Sequence, residues 1–216
     1  GSSIAQDLKT IQNLGGRNST EIYKNAKAQG MSTEEANRLA STFGRLNSAA
    51  GADSSTLYQY GVTQSDVNNF NIVRGNNIAN AAISTGTYTF NTKTYANVTK
   101  ELATSADVSK TMVSNIDRAI SNTDKSSDEY KQLVDMRERM YQVNQSTDFV
   151  RNRLEDAYNA TKAADNSVQR IVMNVQTDSL QITVGKTLAF DSANSTISRE
   201  GDSRKWSNYV NTGIVG

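Results

Sequence analysis

The chain has 216 residues, 36% hydrophobic and 7% aromatic, with 23 Lys+Arg against 22 Asp+Glu and no Pro, His or Cys. This suffices for one domain or a core with an appendage, too lean in large apolar side chains for a thick α/β enzyme but suited to a bundle with a narrow seam. Without His or Cys the usual general base, the thiolate nucleophile, the disulfide framework and the commonest transition-metal ligands are missing, and a balanced charge offers nothing to nucleic acid.

In chain order, the first third reads as short, well-punctuated helices. Ile4, Leu8 and Ile11 share one face, and Gly15-Gly16 stops that segment. Asn18 or Ser19 can cap a helix carrying Ile22, Tyr23 and Ala26, which ends at Gly30. Ser32 and Glu35 form a capping box for a helix whose apolar face is Ala36, Leu39, Ala40, Phe43 and Leu46. The small-residue stretch 48–55 is a loop. Thr63 with Asp66 opens a further helix through Val67, Phe70, Arg74, Ile78 and Ala82. Residues 86–93 alternate briefly, as a short strand or extended connector would.

The middle of the chain carries the strongest periodicity. Val98, Leu102, Ala106, Ser109, Val113, Ile116 and Ile120 lie at steps of three and four, a single helical stripe. A polar break at 122–125 follows. Leu133, Met136, Met140, Val143, Thr147, Val150, Leu154, Ala157, Thr161, Ala164, Val168, Ile171 and Val175 then keep an unbroken three–four alternation, the period of a coiled-coil seam. The spacing predicts one helix over 127–176, about 75 Å long at 1.5 Å per residue. So short a break makes the two long helices antiparallel neighbours, and the helix over 64–84 is expected to pack as their third partner. Leu180, Ile182 and Val184 alternate, Gly185-Lys186 can turn, and 187–190 can return as a hairpin.

The expected fold is therefore mainly α: an elongated bundle around a long antiparallel hairpin, with a helical appendage and a short β-hairpin or extended tail. The expected segments are an appendage over 1–62, the bundle over 63–178 and a tail over 179–216. No stretch is apolar for long enough to span a bilayer.

Few local patterns suggest chemistry. Gly185-Lys186-Thr187 resembles the end of a phosphate-binding loop, but Leu180 stands where that motif requires Gly. Asp124, Asp128 and Glu129 lack the alternating oxygens of a calcium loop, and their charge suits a helix N-terminus. The mixed run Arg137, Glu138, Arg139, Arg151, Arg153, Glu155 and Asp156 reads as a solvated helix face. Met136 and Met140 lie on the seam and read as core. Trp206 and Tyr209, the large anchors of the polar tail, have two readings: a local anchor onto the bundle, or a partner-binding element. No catalytic residue, cofactor or metal is expected.

Residues 113–143 resemble the corresponding stretch of the minor pilin proteins of type IV secretion systems (the VirB5/TrbJ type). The likeness rests on Ile116, Asp117, Ile120, Thr123, Asp124 and Leu133. It implies a helical bundle with a small appendage, displayed at a pilus tip and active in adhesion and pilus assembly, with no catalytic residues to transfer. On this reading the chain is a non-enzymatic structural component of an exported assembly, in the periplasm or at the cell surface. Its partners would be protein subunits, with self-association through the seam an open option. A bacteriophage virion component, either an internal or ejected protein or a tail connector, is the alternative.

Overall fold

The computed structural model describes residues 3–81, 87–90, 94–164, 168–174, 179–184 and 187–191. These residues are mainly helical, as the periodicity predicts. Helices α1 (Ile4–Leu14), α2 (Ser19–Ala28), α3 (Thr33–Ala50) and α4 (Gln64–Ala81) occupy the first third, with a 3-10 turn over Ser54–Tyr60 between α3 and α4. The long helices α5 (Tyr95–Ser121) and α6 (Asp128–Ala164) follow strand β1 (Thr87–Phe90). Strands β2 (Val168–Asn174), β3 (Ser179–Val184) and β4 (Thr187–Asp191) come last.

The caps explain where the short helices begin and end. Ser3, Asn18 and Ser32 each accept a backbone N–H three residues on, satisfying donors that a helix start leaves open. At α4 the box is reciprocal: the Asp66 N–H donates to Thr63 Oγ1 at 3.1 Å, and the Thr63 N–H to Asp66 Oδ2 at 2.9 Å. Gly15, at φ 81°, closes α1 with a bond to the Ile11 carbonyl, a left-handed cap that a side chain would strain. The start of α6 differs by one residue from the Ser126–Glu129 pattern in the sequence. Ser127 Oγ accepts the Tyr130 N–H, while Ser126 is bound into the preceding turn by Asp124.

Two compact units result. One comprises 1–82 with 107–144, the other 83–106 with 145–216, and α5 and α6 contribute residues to both. The expected segments 1–62, 63–178 and 179–216 are contiguous, whereas these units are not. The core of α1–α3 continues past residue 62 into Val67, Phe70 and Val73 of α4.

The first unit holds two apolar clusters. In the first, Leu8, Ile11, Ile22, Leu39, Phe43 and Leu46 pack with the α4 residues, and the Phe43 and Phe70 rings meet edge to face at 5.0 Å. The second joins Ile78 of α4 to Met112, Ile116 and Ala119 of α5 and to Leu133, Met136, Met140 and Val143 of α6. Thus α4 is the third partner of the long hairpin, as expected, and the seam in this unit packs within the chain.

In the second unit, Leu102, Ala106, Val150 and Leu154 are buried, and the Tyr95 and Tyr158 rings stack at 3.9 Å. Its strands form an antiparallel sheet in the order β1-β2-β3-β4. The expected short strand within 86–93 is β1, paired with β2. The expected terminal hairpin is β3–β4, with Val184 opposite Thr187.

One expectation is corrected. Val168 and Ile171, predicted on the helical seam, lie in β2, opposite Val184 and Ile182 of β3, and the helix ends at Ala164. The step of four from Ala164 to Val168 and of three to Ile171 continues the helical stripe beyond the helix end, so spacing alone does not mark the boundary. The deciding information is chemical. Asp165-Asn166-Ser167 favours a turn, and Val168, Ile171 and Val172 are β-branched. Val175 lies outside the described residues.

Candidate functional site: the polar central helix

α4 shows why the first unit is unusual: its buried residues include Asn68, Asn71, Arg74 and Asn77 beside Val67, Phe70, Val73 and Ile78. A helix buried on several sides is normally apolar all round. Here the polar side chains act as ties between helices.

Facing α1–α3, Asn77 Nδ2 donates to the carbonyls of Ile11 at 3.2 Å and Gly16 at 2.9 Å. Arg74 Nε donates to the Arg17 carbonyl at 3.0 Å, and its terminal nitrogen to Asn47 Oδ1 at 2.7 Å. The guanidinium also sits over the Phe43 ring, 5.4 Å from its centre. Arg74 and Asn77 therefore hold the α1–α2 turn through its Gly16 and Arg17 carbonyls. Gly16 fits that turn because a Cβ there would lie 2.9 Å from the Ile22 backbone nitrogen.

No ion pair links Arg74 to any described residue, and burial pushes its guanidinium down to about 10. It remains charged at neutral pH, held by neutral acceptors and an aromatic face. Two nearby pairs do carry charge. Arg17 grips Glu21 through Nε and a terminal nitrogen, and this holds the Glu21 carboxyl below its usual range. Buried Asp7 receives two bonds of 2.8 Å from Arg38.

Facing the hairpin, Asn68 Nδ2 donates to Thr123 Oγ1 at 2.9 Å and Glu129 Oε2 at 3.0 Å. Around this contact, Ser65 donates to Glu129 and Arg139 donates to Asn76. Asn71 differs: it is fully buried, and neither its amide nitrogen nor its amide oxygen has a partner. At Gly75, Met136 Sδ occupies the place that a Cβ would take.

The predicted seam residues divide between the units. Ile116, Leu133, Met136, Met140 and Val143 are buried in the second cluster, while Val113 and Ile120 pack at its edge. Met112 and Ala119 take the deeper places, since a 3.6-residue helix drifts from a 3.5-residue repeat. Leu102, Val150 and Leu154 are buried in the other unit. The charged run pairs across helices as well as facing water: Arg137 bonds Asp117 at 3.1 Å. Trp206 and Tyr209 lie outside the described residues.

A cleft lined by Ala49, Leu57, Gln64, Val67, Asn115 and Ala119 offers about 10 Å³, the room of one water. Among the described residues no group of three or more acidic side chains is placed to hold a metal ion. No helix among them is long and apolar enough to cross a membrane. Comparison with protein-family models, curated proteins and solved structures finds no match.

The sequence placed Arg74 on the α4 stripe but did not single out Asn68, Asn71 or Asn77. The available signal was their spacing: asparagines three apart, and an Arg–Asn pair three apart, between apolar residues of one helix.

Proposed function

We propose that the chain is a non-enzymatic structural and adhesive subunit of an extracytoplasmic assembly, comparable to a pilus-tip subunit of a type IV secretion or conjugation apparatus. The observation carrying this reading is the use to which buried polar groups are put. Asn68, Arg74 and Asn77 tie one helix to its neighbours rather than converging on a cavity. Such a scaffold acts by holding surfaces in place for other protein subunits. The likeness over 113–143 adds support. Ile116 and Leu133 are buried in the helix-packing core, and Thr123 and Asp124 belong to the turn between α5 and α6.

The test is fractionation of the native source, with the chain located by mass spectrometry. Recovery in sheared surface appendages or the periplasm, with a processed N-terminus, is the expected result. Recovery in purified virus particles at a fixed copy number would replace this reading with the virion one. A purely cytosolic chain would defeat both.

A further inference from the structure

The face that α4 turns to the hairpin is poorly suited to holding it permanently. Asn68, Asn71, Gly75 and Ile78 follow a three–four–three spacing and so share one stripe. Ile78 is the one large apolar side chain of this stripe in the second cluster, and half-buried Ile72 and Ala79 of α4 pack at the cluster's edge. Asn71 is buried with both amide atoms unpartnered, the costly condition for a polar group inside a protein. Gly75 contributes no side chain, and flexible Met136 fills its place. Asn68 bonds Thr123 and Glu129 in part-buried contacts, but the surrounding ties, Ser54 to Asn122 at 3.0 Å and Arg139 to Asn76 at 2.7 Å, are exposed, so water competes for them. The opposite face of α4 is closed by Val67, Phe70 and Val73 and by the Arg74 and Asn77 ties.

We propose that residues 107–144 open from α4 as a sub-global unit while α1–α4 remain folded, uncovering a face formed by Met112, Met136, Met140 and Leu133. The polar stripe on α4 is the device: it fixes the register of the closed state and weakens it, as a buried Asn does in a helical seam. The exposed methionine face would be an adaptable apolar surface, present only when the unit is open. This inference stands apart from the proposed assembly role and concerns one equilibrium within the unit.

The experiment is native-state hydrogen exchange of the full chain, read by mass spectrometry. Amides of 107–144 are expected to exchange at least about tenfold faster than those of α1 and α3. Equal protection of both groups would overturn the proposal. Asn71→Leu replaces the unpartnered amide and should slow exchange in 107–144 by about tenfold, leaving α1 and α3 unchanged; unchanged or faster exchange in 107–144 would count against the proposal. Because the chain has no cysteine, Gly75→Cys with Met136→Cys supplies an unambiguous lock. Oxidation should bring exchange in 107–144 down to the level of α1 and α3, and reductant should restore it. Fast exchange persisting in the oxidised form would overturn the proposal.

Discussion

The two cores that share α4 are built from different materials. The α1–α4 core packs aliphatic residues around an edge-to-face Phe43–Phe70 pair, and its buried carbonyls are met by Arg74 and Asn77. The core between α4 and the hairpin mixes Met112, Met136 and Met140 with Ile78, Ile116, Leu133 and Val143, and Gly75, against Met136, shares a stripe of α4 with the unpartnered Asn71. Branched and aromatic side chains have few rotamers and specify one packing, whereas methionine adapts to many. One helix can thus anchor firmly on one side and loosely on the other.

The largest expected effect is in the first core. Phe43→Ala should cost about 3–5 kcal/mol in urea unfolding, because both an aromatic pair and a buried ring are lost. Met140→Ala should cost less, about 2–3 kcal/mol, since neighbouring methionines can relax into the space. Equal losses would remove the distinction between the cores.

Arg74→Met should destabilise by about 1–3 kcal/mol, because Asn47 Oδ1 and the Arg17 carbonyl lose their donor. Arg74→Lys should not rescue it, since an ammonium cannot present the same planar pair of N–H groups. A stabilised Arg74→Met variant would mean that desolvation of the charge outweighs its hydrogen bonds.

Gly75→Ala should destabilise by about 1 kcal/mol, despite alanine's better helix propensity, because Met136 must move from the site of the new Cβ. A gain in stability would show that the methionine gives way freely, sharpening the view of the second core as compliant.

The smallest effect belongs to Glu21. Its carboxyl is held below the usual value of 4.5, first by the Arg17 hydrogen bond. The folded state therefore favours the carboxylate. This contribution is present above the unfolded value and is lost as pH falls through the lower folded value. Glu21→Gln should flatten the fall in melting temperature between about pH 5 and pH 3 relative to the parent chain.

Much of the helical layout was legible because caps and glycines are local signals. Asn18, Ser32 and the Thr63–Asp66 box act where the sequence placed them, and α4 joins the hairpin as expected, through Ile78, while Val67 and Phe70 of its stripe face α1–α3. The end of α6 is not legible in spacing, because Val168 and Ile171 continue the three–four alternation of the helix; their β-branching and the preceding Asp-Asn-Ser are the signals that mark the change. The discontinuous units were not legible either, since they depend on which residues meet across the chain. Asn71 shows the deepest limit. A helical asparagine reads as exposed by default, and only the packing of two neighbouring helices makes it buried and unpartnered.

The most direct test of the contrast between the cores is urea unfolding, followed by circular dichroism, of residues 3–81 alone. That segment retains the whole first core and every bond from Arg74 and Asn77, and its newly exposed α4 face carries Asn68, Asn71 and Gly75 beside Ile72, Ile78 and Ala79. A helical, monomeric segment with a cooperative transition is the expected result. A segment that is unfolded, or that melts without cooperativity, would show that α4 depends on the hairpin for its place and would contradict the account.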